Sequence, residues 1–187
     1  ALREGPWHLF YFSGHGGYNQ RIEEGEVVFA DEHGLSEMLR ATKLARLMAD
    51  HDALRLVMLN ACEGGRGSQQ DIFSSTAAIL VGQGLPAVLA MQYEITDRAA
   101  VTFAEVFYKA LAAGWPVDAA VTDARNAIDF SVNNTFEWGT PVLYMRSPDG
   151  ILFNIAEPPS PPPPPPKQPL LLTLAPQHAR VKTGETA

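Results

Sequence analysis

His15 and Cys62 are the two residues whose types and positions suit nucleophilic chemistry. His15 lies three residues past the apolar run Trp7–Phe12 (WHLFYF), and Cys62 lies two past Leu54–Asn60 (LRLVMLN). If both runs are neighbouring strands, about 4.8 Å apart, the imidazole and the thiol leave the same sheet edge and face one substrate. A histidine so placed holds a thiolate and later protonates a leaving amine, while the cysteine attacks a carbonyl. The N–H groups of Gly16 and of Cys62 itself would meet the developing oxyanion. Gly14, Gly17, Gly64 and Gly65 let the backbone turn sharply around that space. Taken alone, each residue also has a plainer reading, because a lone cysteine at a strand end is often a small buried hydrophobe.

Other chemistries fit less well. An esterase using His15-Gly16-Gly17 for its oxyanion needs a G-x-S-x-G elbow downstream, and Ser68, in Gly65-Arg66-Gly67-Ser68, does not satisfy it. Dinucleotide binding at Gly14-x-Gly16-Gly17 lacks its third glycine, since Asn19 holds that position. There is no H-E-x-x-H, the chain has 1 Cys, and Asp31-Glu32-His33 reads as a turn, so no metal is expected. His8, His33, His51 and His178 read as packing or surface residues.

The elements that must position the pair alternate. Trp7–Phe12 reads as a central buried strand leading into a Ser-Gly-His-Gly-Gly loop, and Gly25–Ala30 as part of a hairpin-like excursion. Leu35, Met38, Leu39, Leu44, Leu47 and Met48 have helical spacing, with a helix over at least Thr42–Asp50. Leu54–Asn60 is a second buried strand, Phe73–Gly82 a helix closing at glycine, and Pro86–Met91 a third strand. Asp97 is placed to cap the next helix, with Phe103 and Phe107 on its core face, and Val117, Ala120, Val121, Ala124 and Ile128 mark another. Pro141–Met145 and Ile151–Ile155 read as a strand pair around the turn Ser147–Gly150. This alternation predicts an α/β fold with a mostly parallel central sheet flanked by helices.

Composition bounds the rest. Of 15 prolines, nine fall between Pro158 and Pro169, so the folded body is read as residues 1–157, followed by a polyproline spacer at 158–169. Residues 170–187 have β-favouring stretches and a Lys-Thr-Gly-Glu turn; they read as either the start of an immunoglobulin-like module or a disordered tail. The body carries 11 Lys and Arg against 20 Asp and Glu, which argues against a nucleic-acid groove. No apolar stretch approaches the roughly 20 residues of a membrane helix, so no membrane association is expected. A single cysteine excludes an internally disulfide-stapled module.

The segments HLFYFSGHGGY and LRLVMLNACEGG, followed by LPAVLAMQYEITDRAAVTFAEVFYKALAAGWPVDAAVTDAR and WGTPVLYM, resemble the CHAT domain, a bacterial branch of the caspase/separase/metacaspase clan of cysteine peptidases. The resemblance spans roughly Trp7 to Phe153. It implies a caspase-hemoglobinase-like sandwich and a His15–Cys62 dyad that hydrolyses peptide bonds through an acyl-enzyme, with no cofactor. It also implies that Asn60, two residues before the cysteine, lines the S1 pocket. Gln92, Glu63, Glu94 and Asp97 are further candidates for that pocket, although Asp97 also suits a capping role and Gln92 a backbone contact. Relative to the family, the strand, helix and strand that precede the His motif are missing. The expected partners are a protein or peptide substrate and regulatory domains in the same or a partner chain, in a bacterial cytoplasm. The alternative is a catalytically silent scaffold or signalling module of the same fold.

Overall fold

The computed structural model describes residues 5–61, 72–93, 95–132 and 136–155. All of them fall in the first of two units into which the chain divides, Ala1–Ile155. The proline-rich segment and residues 170–187 lie outside the described residues.

In chain order the elements are β1 (Leu9–Gly14), β2 (Gly16–Asn19), β3 (Glu24–Ala30), β4 (Ser36–Arg40), α1 (Ala41–Ala49), β5 (Leu56–Ala61), α2 (Ile72–Gly82), β6 (Ala87–Met91), α3 (Asp97–Ala112), α4 (Val117–Ser131) and β7 (Pro141–Met145). The main sheet has the order β1-β5-β6-β7. Its β1–β5 and β5–β6 pairs are parallel and β6–β7 is antiparallel. A separate antiparallel sheet has the order β2-β3-β4.

The period-2 alternation of side chains explains why the central strands read as unbroken apolar runs. Leu56, Met58, Leu89 and Met91 point to one face, where they pack with Phe103 and Phe107 of α3 and with Val117, Ala120, Val121, Ala124 and Ile128 of α4. Val57, Leu59, Val88 and Ala90 point to the other face, against Leu44 and Met48 of α1 and Phe73, Ala77 and Leu80 of α2. Both faces are thus covered, giving the expected α/β sandwich with a mostly parallel sheet. Gly25 N–H donates to Ser75 Oγ of α2 at 3.2 Å, tying the small sheet to the helix layer. Among the described residues no helix is long and apolar enough to cross a membrane.

Four readings of the sequence are corrected. The run Trp7–Phe12 is not a central strand: its strand begins at Leu9 and, among the described residues, stands at the sheet edge, which leaves Tyr11 50% exposed. The Ser-Gly-His-Gly-Gly segment is not all loop, because Gly16–Asn19 pairs with β3. Leu35, Met38 and Leu39 do not extend the helix; Ser36–Arg40 is a strand paired with β3, and the helix starts at Ala41. Asp31 enforces that hairpin, its carboxylate accepting from the N–H groups of His33 and Leu35, each at 2.8 Å, while Gly34 supplies φ +76°. Residues 151–155 form no strand. Gly150 C=O instead accepts from Val117 N–H at 2.9 Å, so this segment is fastened to the start of α4, and Leu152 enters the α3/α4 core.

Gly14 is set by close packing. A Cβ there would lie 2.8 Å from the ring of Phe12, which is itself held by Phe29 and Phe73, with ring centroids 5.2 and 6.4 Å away. Gly14→Ala is therefore expected to destabilise the domain by about 1–3 kcal/mol. Urea unfolding checks this, and an unchanged midpoint would mean that Phe12 moves aside freely.

Candidate active site

Parallel pairing of β1 with β5 aligns Ser13 with Asn60 and Gly14 with Ala61. His15 is the next residue after Gly14, with its side chain exposed and its C=O accepting from Val28 N–H at 2.9 Å. That bond fixes the point where the chain leaves the main sheet for the small one. Cys62, next after Ala61 in sequence, lies outside the described residues, as do Glu63 and Glu94.

Gly16 opposes Val27 across β2 and β3. Hydrogen-bonded and non-bonded pairs alternate along an antiparallel ladder, and His15 with Val28 is a bonded pair. Gly16 is consequently in a non-bonded pair, its N–H directed away from β3. Since β2 is the edge of its sheet, that N–H stands on the open side.

On the α3 face of the main sheet, near the carboxyl ends of β5 and β6, is a cavity of about 180 Å³. Its apolar walls include Met58, Met91 and Phe103, with Ala100 and Ala104 of α3 leaving the space open because their side chains are small. Asn60 and Tyr11 supply its polar corner: Asn60 Nδ2 donates to the Tyr11 hydroxyl at 3.1 Å, while Asn60 Oδ1 is buried without a partner among the described residues. A buried acceptor left unpaired is uncommon in a folded protein and marks this corner as incomplete. Also in the lining, the Tyr108 hydroxyl donates to Met58 Sδ at 3.1 Å.

Burial, and secondarily the neighbouring Tyr11, holds the Tyr108 hydroxyl above its ordinary 10.0. The folded protein therefore keeps this proton more tightly than the unfolded chain. The corresponding stability is complete below pH 10.0 and is lost as the pH rises through the folded-state value. Spectrophotometric titration should show a tyrosine step above the ordinary 10.0, and Tyr108→Phe should remove that step. A titration unchanged by the substitution would contradict the assignment.

Of the other residues singled out in the sequence, the structure brings neither Gln92 nor Asp97 into this cavity's described lining. Gln92 donates from its backbone to Thr140 C=O at 3.0 Å, and its Nε2 donates to Ser74 Oγ of α2 at 3.2 Å, on the opposite face of the sheet from Asn60. Asp97 is exposed and is the first residue of α3, not its cap. Thr96 is the N-cap, its Oγ1 accepting from Ala99 N–H at 3.4 Å and donating to Glu137 Oε2 at 3.2 Å. Trp138 is anchored to α4, with its C=O accepting from Arg125 Nε at 2.8 Å and the guanidinium carbon 5.5 Å from the ring centre. The sequence reading did not single out Tyr11 or Tyr108. The period-2 face shared by Tyr11 and Leu9, and the four-residue step from Ala104 to Tyr108, were the available signals.

A mostly parallel sheet with helices on both faces, and a histidine where one parallel strand ends, define a caspase-like α/β domain. The CHAT domain family model matches residues 1–146, and the chain belongs to this family. No curated protein matches the sequence.

Proposed function

We propose that the protein is a cysteine endopeptidase in which His15 and Cys62 act as the dyad. The observation that carries this reading is the β1–β5 register, in which Gly14 and Ala61 are aligned and each is followed by one member of the pair. Cys62, its thiol proton passed to His15, attacks the scissile carbonyl to give a tetrahedral oxyanion, which the N–H groups of Gly16 and Cys62 receive. His15 then protonates the leaving amine, the C–N bond breaks, and a thioester remains on Cys62. Water, deprotonated by His15, attacks the thioester and releases the acid and the thiol. The cavity at Asn60 receives the P1 side chain. The natural substrate is a protein or peptide, and regulation comes from domains in the same or a partner chain.

A peptide-library cleavage assay with Cys62→Ala as control tests the proposal. Cleavage lost in the variant supports it. Cleavage by neither protein, with or without partner proteins, favours a silent scaffold.

A further inference from the structure

We propose that the cavity between Asn60 and Tyr108 selects a primary carboxamide, so that the preferred P1 residue is glutamine. This rests on the peptidase reading above and adds the chemistry of the side chain taken.

The polar corner of the cavity presents two complementary groups. Asn60 Oδ1 is a buried acceptor with no partner among the described residues. Tyr11 already accepts from Asn60 Nδ2, which leaves its own O–H to donate. An acceptor beside a donor matches a primary amide, which offers an N–H beside a C=O. Glutamine Nε2 would donate to Asn60 Oδ1 while glutamine Oε1 accepts from Tyr11. Its two methylenes would lie along Met58, Met91 and Phe103, walls that favour an uncharged stem. Methionine fills the same apolar space but leaves Asn60 Oδ1 without the hydrogen bond that glutamine would supply. Lysine and arginine would bring a charge into a lining whose described residues include no carboxylate, and glutamate would set a carboxylate against the Asn60 acceptor. Tyr11 and Tyr108 both line the space, and Ala104 leaves room for the stem.

The test uses peptides identical except at P1, with kcat/KM measured for Gln, Met, Lys and Glu. Gln is expected to exceed Met by about tenfold and the charged residues by about a hundredfold or more. Tyr11→Phe, which keeps the ring and removes the O–H, should lower the Gln:Met ratio by about tenfold. Ala104→Leu should reduce Gln cleavage much more than cleavage after alanine. A second arm uses Cys62→Ala protein and N-acetylglutamine amide, following tyrosine ring resonances by NMR. Cys62-dependent cleavage that prefers Lys, Arg or Glu, or a Gln:Met ratio untouched by Tyr11→Phe, overturns the pocket inference and leaves the peptidase reading standing. Saturable binding of the amide that Tyr11→Phe weakens, without cleavage of any peptide, supports the pocket and overturns the peptidase reading. Neither cleavage nor binding overturns both.

Discussion

If the proposed dyad is at work, His15→Ala is expected to lower Cys62-dependent peptide cleavage by about 10²–10⁴-fold, the range typical of losing a positioned acid–base group. The same change should leave stability within about 0.5 kcal/mol, because the imidazole is exposed and is not part of either core cluster. What holds position 15 is its backbone, through the Val28 N–H bond to its C=O, and alanine keeps that bond. Chemistry and folding are thereby separated at this residue. Alkylation of Cys62 gives a second readout. Without the imidazole, thiolate must form at the expense of solvent alone, so the labelling rate should rise only as the pH approaches the ordinary thiol value of about 8.5. Equal labelling profiles in the two proteins would remove the dyad from the mechanism, even if cleavage had fallen.

His15 was legible in the sequence because its position depends on local facts: a short apolar strand ends, glycines follow, and the chain must turn. The same is true of α3 and α4, where Phe103 with Phe107, and Val117 through Ile128, repeat at the helical period over enough turns to be unambiguous. β4 was misread because five residues are too few to distinguish the spacing of Leu35, Met38 and Leu39 from a helical stripe, and its strand identity comes from pairing with β3. Residues 151–155 have the alternation of a strand, but Gly150 commits the chain to α4 through a single backbone bond. The cavity was the least legible feature. Asn60 was identified by its place before Cys62, whereas Tyr11 and Tyr108 meet it only through the register of β1 on β5 and the seating of α3 on the sheet. Such a site depends on three elements distant in sequence, and local propensity has nothing to say about how they are juxtaposed.

Phe107→Ala is expected to cost about 3–5 kcal/mol, the upper range for core truncations. Phe107 is fully buried, lies 5.3 Å from the Phe103 ring in a stacked arrangement and meets the edge of Tyr108 at 5.4 Å. Truncation removes its transfer energy and leaves a void that the stiff sheet beneath and α4 beside it can only partly close. Against a typical total of about 5–15 kcal/mol this is a large fraction, and it should lower the unfolding temperature by roughly 6–20 °C. Phe103 gives the informative contrast, since it is equally part of the core but also walls the cavity, whereas Phe107 is not among the cavity's described lining. Phe103→Ala should therefore lose stability and P1 selectivity together. Phe107→Ala, assayed well below its unfolding temperature, should lose stability while keeping the order of preference among P1 residues. If both variants alter selectivity equally after correction for the folded fraction, α3 shifts as a rigid body on the sheet and the cavity wall is not separable from the core behind it. If Phe107→Ala costs less than about 1 kcal/mol, α3 and α4 collapse into the void more readily than their packing on the sheet implies.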